Sequence, residues 1–176
     1  MALSKQELRK RALRIKLVLT DVDGVLTDTG VYYSEKGEVM KRFSIRDGMG
    51  VELLRLNGVE TAIITREKSP SVKKRGERLK MPWIFLGVFN KVEYIPTILK
   101  KTGLKMNELA YIGDDVNDLD IIKEIAKHGL TATPADGMPV IKNEVHYTAK
   151  INAGYGAFRD FADWILDLRG KKVEYQ

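Results

Sequence analysis

The run Leu17-Val18-Leu19 ends abruptly at Thr20-Asp21-Val22-Asp23-Gly24. Consecutive apolar residues of this kind read as a strand buried on both faces, as in a parallel sheet. Ligands of open α/β sheets bind outside the carboxyl ends of the strands, and Asp21 and Asp23 stand at such an end. Side chains two apart on an extended chain point the same way, so both acids are expected to address one site. Two carboxylates that close repel unless a cation intervenes, and hard oxygen ligands suit Mg²⁺. An EF-hand reading of the acids fails. Counted from Asp21, its sixth position needs glycine and its twelfth glutamate, and the chain has Leu26 and Tyr32 there.

The remaining sequence narrows the class. With 176 residues, 31% of them charged and 44% hydrophobic, the chain suits one folded domain over residues 1–176. The absence of cysteine excludes disulfides, thiolate metal sites and cysteine-nucleophile phosphatase chemistry, and it suits a reducing cytoplasm. Residues 1–14 are charged throughout and lack the apolar centre of a signal peptide. No apolar run approaches membrane-spanning length. The net charge of +6 gathers around Arg9 to Arg14 and around Lys73 to Lys80. No aromatic residues interleave these basic runs, which argues against a nucleic-acid surface. A solvated helix face or a funnel for small anions fits better.

Taken in order, the pattern alternates. Ser4-Lys5-Gln6-Glu7 is a capping box that opens a helix to about Leu13. Val31–Tyr33 and Val39–Phe43 flank Ser34-Glu35-Lys36-Gly37 and predict a β-hairpin. Asp47 is the expected cap of a helix through Leu56, closed by Gly58. Strands are expected at 59–64, 83–86, 109–112 and 130–132, with a sixth at 145–147. Helices are expected from Ser69-Pro70 to about Lys80, from Asn90 to Lys101, from Val116 to Lys127 and from Phe158 to Leu168. Strands alternating with helices imply a parallel α/β sheet.

Four strand ends each deliver polar groups: Asp21 and Asp23, then Thr65, then Asn90-Lys91, then Asp114-Asp115 with Asn117 and Asp118 in the next turn. In a parallel sheet these lie on one edge and converge. The chemistry they suggest is phosphoryl transfer. One carboxylate attacks phosphorus, a second manages the leaving-group proton, and cations with hydroxyl or amide donors neutralise the phosphoryl oxygens. The helix N-termini at Ser69 and Asn90 are expected to add positive partial charge.

Asp21-Val22-Asp23-Gly24, Thr65, Lys91 and Gly113-Asp114-Asp115-Val116-Asn117-Asp118 resemble the four motifs of the haloacid dehalogenase superfamily. Asp23-Gly24-Val25-Leu26-Thr27-Asp28, Phe43-Ser44-Ile45-Arg46-Asp47-Gly48 and Gly154-Tyr155-Gly156-Ala157-Phe158-Arg159 resemble its 3-deoxy-D-manno-octulosonate (KDO) 8-phosphate phosphatase family. Close relatives of that family are the nine-carbon KDN 9-phosphate phosphatases and the phosphatase-like domain of some acylneuraminate cytidylyltransferases. The resemblance implies a Rossmann-like sheet without a cap domain, a protruding hairpin and a homotetramer assembled through it. It implies Asp21 as nucleophile and metal ligand, and Asp23 as acid/base that also binds metal through its carbonyl. Asp114 would be the third metal ligand. Thr65 and Lys91 would hold the phosphoryl group, with Asp115 and Asp118 orienting Lys91 or metal-bound waters. The cofactor would be Mg²⁺ and the substrate a sugar-acid phosphate.

Substrate contacts are expected from Gly24, Asp47, Gly48, Glu67, Arg75 and Arg78. Arg75 and Arg78 are three apart on one helix face, and their guanidinium forks suit a carboxylate. The chain departs from the family pattern at Arg66, where glycine is usual, and at Tyr155, where arginine is common. Glu67 leans toward the nine-carbon branch, so the eight- and nine-carbon substrates both stay open. A response-regulator receiver, which keeps its phospho-accepting acid on the third strand, is excluded by Leu86-Gly87 at that place. A non-catalytic domain partnering a cytidylyltransferase is the alternative, and the intact set of motif residues argues against it.

Overall fold

The computed structural model describes residues 3–171. The chain runs through α1 (Lys5–Arg14), β1 (Leu17–Thr20), β2 (Tyr32–Ser34), β3 (Gly37–Met40), α2 (Ile45–Leu56), β4 (Glu60–Ile64), α3 (Pro70–Arg78) and β5 (Trp83–Phe85). It continues through α4 (Ile95–Thr102), β6 (Leu109–Ile112), α5 (Leu119–Ala126), β7 (Leu130–Thr133), α6 (Pro139–Lys142), β8 (Tyr147–Thr148) and α7 (Ala157–Leu168). Six strands form one sheet in the order β5-β4-β1-β6-β7-β8, and every neighbouring pair is parallel.

The apolar run that ends at Asp21 is the centre of this sheet. Val18 faces one core layer, with Val51, Leu54, Phe158 and Phe161 from α2 and α7. Leu17 and Leu19 face the other, with Ile98, Ile121, Ile122 and Ile125 from α4 and α5. All four residues of β1 are buried, which is why it reads as an unbroken apolar run and not as an alternating one. The chain leaves β1 to build outward through β4 and β5, then returns to the other side of β1 with β6. The crevice at the carboxyl ends of β1 and β6 is therefore the switch point where ligands of such sheets bind.

β2 and β3 form a separate antiparallel ribbon, almost wholly exposed. Its second arm stops at Met40, short of the expected Phe43, because Lys41 turns inward and is buried. Between β1 and β4 the chain holds only this hairpin and α2, and between β4 and β5 only α3, so no cap domain covers the site.

Three helix starts differ from expectation; α5 begins at Leu119, behind a single 3₁₀ turn over Val116–Asp118, and not at the expected Val116. Ser44, not Asp47, caps α2: its hydroxyl accepts from Arg46 N at 3.1 Å, and Asp47 lies within the first turn. α4 begins at Ile95 and not at Asn90, whose side chain instead accepts from Glu93 N at 3.3 Å in a separate turn. The expected helix-terminal charge at Asn90 is thus absent. Ser69 does precede α3, but its hydroxyl turns to Glu38 and makes no capping bond.

Candidate active site

Asp21 follows β1 directly. Its N–H donates to Ile112 O at 3.0 Å, which carries the β1–β6 pairing one residue further and fixes the acid between the two strand ends. The chain then bends: Val25 and Leu26 both donate to Val22 O. That bend corrects the expectation that both acids of the motif point into one cluster. Asp21 gathers with Asp114 and Asp118, and one carboxylate oxygen from each lies within 4.8 Å of the others. The carboxylate of Asp23 instead turns to the hairpin and accepts from Lys41 Nζ at 2.7 Å.

Lys91 is the centre of the buried group. Its ammonium lies 2.7 Å from Asp21 Oδ2 and 2.6 Å from Asp118 Oδ1, and donates to the Tyr111 hydroxyl at 3.2 Å. Tyr111 in turn donates to Asp118 Oδ1 at 2.5 Å, and Asp118 Oδ2 accepts from Asp114 N at 2.9 Å. The other oxygen of Asp21 accepts from Val22 N at 2.7 Å. Asp118 thus orients both Lys91 and the backbone that carries Asp114. Asp115 does not join this group; its side chain accepts from Val116 N and closes its own turn.

The site is rich in negative charge. Burial and the repulsion of Asp118 push the Asp21 carboxyl up to about 7, although Lys91 opposes the shift. Burial, Asp118 and Asp21 push Asp114 up to about 8. Burial opposes the Lys91 ammonium, but Asp21 and Asp118 more than offset it and hold its pKa above the usual lysine value. One lysine shared between two acids leaves both it and them strained in the same sense: the group lacks positive charge. A donor set of hard carboxylate oxygens short of one cation fits a divalent ion.

Two motif glycines exist for close approach. At Gly24, where φ is +84°, a Cβ would stand 1.9 Å from Asp114 Oδ2. At Gly113 it would stand 2.4 Å from the Asp118 carboxyl. Gly24 therefore makes room for a carboxylate, a different duty from the substrate contact expected of it.

Thr65 follows β4 directly, one strand over, and is buried; its hydroxyl accepts from Glu67 N at 3.2 Å. Glu67 itself is exposed. Arg66 stacks on the ring of Phe89 at 5.1 Å, beside an open cavity of about 310 Å³ that also reaches Lys91, Val116 and Asn117. A larger concavity of about 470 Å³, lined by Leu8, Lys123 and His146 among others, holds none of the motif residues.

Asp47, Gly48 and Arg75 come together with each other. Arg75 donates to Ser44 O at 2.8 Å and lies over the Phe43 ring, and a Cβ at Gly48 would stand 2.9 Å from its guanidinium. Asp47 is buried, accepts from Arg159 N at 3.0 Å, and is pushed up to about 6 by burial. Arg78 is exposed, and no side-chain hydrogen bond or ion pair engages it among the described residues.

Lys41 is the residue that sequence reasoning missed. Its side chain is 1% exposed and bridges Asp23 and Glu38, at 2.7 and 3.1 Å. Burial opposes its charge, but the two carboxylates more than compensate and keep its pKa raised. The available signal was slight: Lys41 and Arg42 stand together between Met40 and Phe43, two charges on an arm that otherwise carries apolar residues.

A parallel sheet with an acidic cluster and a buried lysine at its switch point defines a haloacid dehalogenase-type phosphatase, a phosphoric monoester hydrolase. No family model matches the chain. The 3-deoxy-D-manno-octulosonate 8-phosphate phosphatase of Haemophilus influenzae is 35% identical over 164 residues, covering 93% of this chain and 89% of that protein. The cobalt-bound structure of that phosphatase superposes with a TM-score of 0.85 at 35% identity, over 91% of this chain and 92% of that one. The Moraxella catarrhalis enzyme, solved with magnesium, phosphate and KDO, has a TM-score of 0.86 at 32% identity, over 94% of this chain and 93% of that one. The chain belongs to the 3-deoxy-D-manno-octulosonate 8-phosphate phosphatase family.

Proposed function

We propose that the protein is one catalytic domain that hydrolyses the phosphate monoester of a 2-keto-3-deoxy sugar acid, with KDO 8-phosphate as the first candidate and Mg²⁺ as cofactor. The observation that carries this reading is the Asp21–Lys91–Asp118 group beside Asp114 at the carboxyl ends of β1 and β6. It matches the chemistry of the family, and relatives that share a third of the sequence are named for that substrate.

Asp21 is the nucleophile. Val22 N holds one oxygen and Lys91 the other, so the carboxylate is fixed before substrate arrives. As an Asp21 oxygen bonds to phosphorus, the ester P–O bond breaks and Asp23 gives its proton to the departing alkoxide. Asp23 then takes a proton from water as the water oxygen attacks phosphorus and the bond to Asp21 breaks. Lys91 and Thr65 hold phosphoryl oxygens. Esterification removes the charge of Asp21, which frees an N–H of Lys91 for the phosphoryl group. Asp21 and Asp114, with the Asp23 carbonyl, would hold Mg²⁺, which when bound neutralises phosphate oxygens. Asp118 orients Lys91. Asp115 stands near enough in sequence to reach metal-bound water. Arg75 and Arg78, with Asp47, Gly48 and Glu67, set substrate choice.

A second reading, a nine-carbon KDN or neuraminate 9-phosphate, is favoured by Glu67, which is exposed just beyond Thr65. Phosphate release from the two substrates, compared as kcat/KM, decides between them. Absence of Mg²⁺-dependent release from either overturns the function.

The enzyme works as a homo-oligomer, most simply a tetramer, in the cytoplasm. The support is apolar surface: Tyr32, Tyr33, Val39 and Met40 are all more than half exposed on a two-stranded ribbon, beside a site without a cap. A fully active 19.9 kDa monomer in light scattering at micromolar concentration would overturn the assembly. Among the described residues no helix is long and apolar enough to cross a membrane.

A further inference from the structure

A buried lysine is costly unless its charge is matched, and a lysine on an exposed ribbon has every opportunity to stay in water. Lys41 does not. Its ammonium is withdrawn from solvent and bound between Asp23 Oδ1 and Glu38 Oε2. Glu38 is anchored in turn: its other oxygen accepts from Ser69 Oγ at 2.9 Å, at the start of α3. Arg42, the next residue, holds the base of the hairpin to the main body through Asp28 Oδ2 at 2.9 Å and Gly154 O at 3.1 Å. The hairpin is therefore tied down at the one point where it meets the second acid of the motif.

The two hydrogen bonds that Asp23 receives both fall on the same oxygen. Lys41 donates to Oδ1 at 2.7 Å, and the Thr27 hydroxyl, whose one proton is shared between this oxygen and Val22 O, lies 3.4 Å from each, while Oδ2 receives none among the described residues. A carboxyl held by one oxygen has a fixed rotamer and a single oxygen free to carry and exchange a proton.

We propose that Lys41 is a positioning residue for the reaction: from the base of the hairpin it fixes the Asp23 carboxyl through Oδ1 and leaves Oδ2 as the oxygen that gives the proton to the leaving alkoxide. The proposal rests on the acid/base role assigned to Asp23 above. It makes the hairpin part of the catalytic apparatus. The ester P–O bond breaks, an Asp21 O–P bond forms, the electron pair goes to the alkoxide oxygen, and the proton comes from Asp23 Oδ2.

General acid help matters for a poor alkoxide leaving group and hardly for a good one such as p-nitrophenolate. The experiment compares the full chain with Mg²⁺ on KDO 8-phosphate and on p-nitrophenyl phosphate, for wild type, Asp23→Asn, Lys41→Met, Lys41→Gln and Lys41→Arg. The quantity read is the ratio of the two kcat values within one preparation, from which any loss of folded enzyme cancels. Lys41→Met and Lys41→Gln should lower the ratio about 10- to 100-fold, less than Asp23→Asn, with KM changed little. Lys41→Arg keeps a cationic donor and should restore most of it. A leaving-group-selective loss in Asp23→Asn with an unchanged ratio in the Lys41 variants overturns the role of Lys41 alone. An unchanged ratio in Asp23→Asn overturns the acid/base reading of Asp23, and the role of Lys41 with it.

Discussion

Among the described residues two lysines are buried, and each binds one acid of the Asp21-Val22-Asp23 motif. Lys91 is bound by Asp21 and Asp118, at most 6% exposed at their side chains, and by a tyrosine that is itself core. Lys41 is bound by Asp23 and Glu38, with side chains 31% and 23% exposed. The first set is anchored on the central sheet: Asp21 N pairs with Ile112 O and Tyr111 lies within β6, while Lys91 and Asp118 come from the turns after β5 and β6. The second joins the main body to a ribbon that packs on little else. Under the proposed roles of Asp21 as nucleophile and Asp23 as proton-transferring acid, preorganisation of the first is a property of the core, whereas that of the second depends on where the hairpin lies. If a neighbouring protomer covers that hairpin, assembly bears on Asp23 and leaves Asp21 alone.

The largest effect is expected at Asp21. Asp21→Asn keeps the shape and most hydrogen bonds but removes the attacking charge, so Mg²⁺-dependent turnover should fall by roughly three orders of magnitude or more. A variant that keeps more than about a tenth of the wild-type rate would mean that the core cluster is not the reacting centre.

Next comes the contrast between the lysines in stability. Lys91→Met strands two buried carboxylates and should cost about 3–5 kcal/mol at pH 7 without Mg²⁺. Lys41→Met strands partly hydrated ones and should cost about 1–2 kcal/mol after allowance for solvent screening. Urea denaturation of both variants checks this; equal costs would erase the distinction between core and ribbon.

The same contrast explains what the sequence could tell. The sheet, its alternation with helices and the convergence of Asp21, Lys91 and Asp114 were legible because the strands are short apolar runs that stop at polar residues. The Asp114 and Asp118 cluster follows from that topology alone. The direction of Asp23 was not legible: an extended chain would aim it alongside Asp21, but the turn around Val22 begins one residue too early. Ser44 and Asp47 are both good caps by composition, and only the demand of Arg159 N for an acceptor draws Asp47 inward. The burial of Lys41 is not legible from the sequence, because a lysine on a ribbon is ordinarily solvated.

A third test separates the acids that need a cation from those that have one. Asp114 is pushed up to about 8 by burial and by Asp118, Asp21 and Asp115, with no lysine bound to it directly. A carboxyl raised in the folded state stabilises the fold below its unfolded pKa, and loses that contribution as pH rises through its folded value. Asp114→Asn escapes the loss. It should be more stable than wild type by about 2 kcal/mol at pH 8 without metal. It should also lose the rise in melting temperature that Mg²⁺ gives wild type. A variant that is destabilised, or still responds fully to Mg²⁺, would remove Asp114 from the metal site.

The smallest expected effect concerns an acid outside both lysine groups. Asp47 is buried, with one oxygen on Arg159 N and the other without a partner among the described residues. Burial raises it to about 6, against 3.8 ordinarily, and the charge of Arg75 opposes the shift without cancelling it. Folded protein therefore holds this proton over a window in which unfolded protein has lost it. The contribution is intact below pH 4 or so, fades as pH rises through about 6, and is gone at pH 8. Asp47→Asn keeps the acceptor for Arg159 and does not titrate. Relative to wild type it should gain about 1–2 kcal/mol between pH 4 and pH 8, measured by denaturant melts across that range. Because Asp47 lies on α2, whose packing against α7 does not involve the hairpin, the same gain should appear when Lys41 is Met. A gain that vanished in the double variant would couple α2 to the ribbon, and the core would no longer be independent of it.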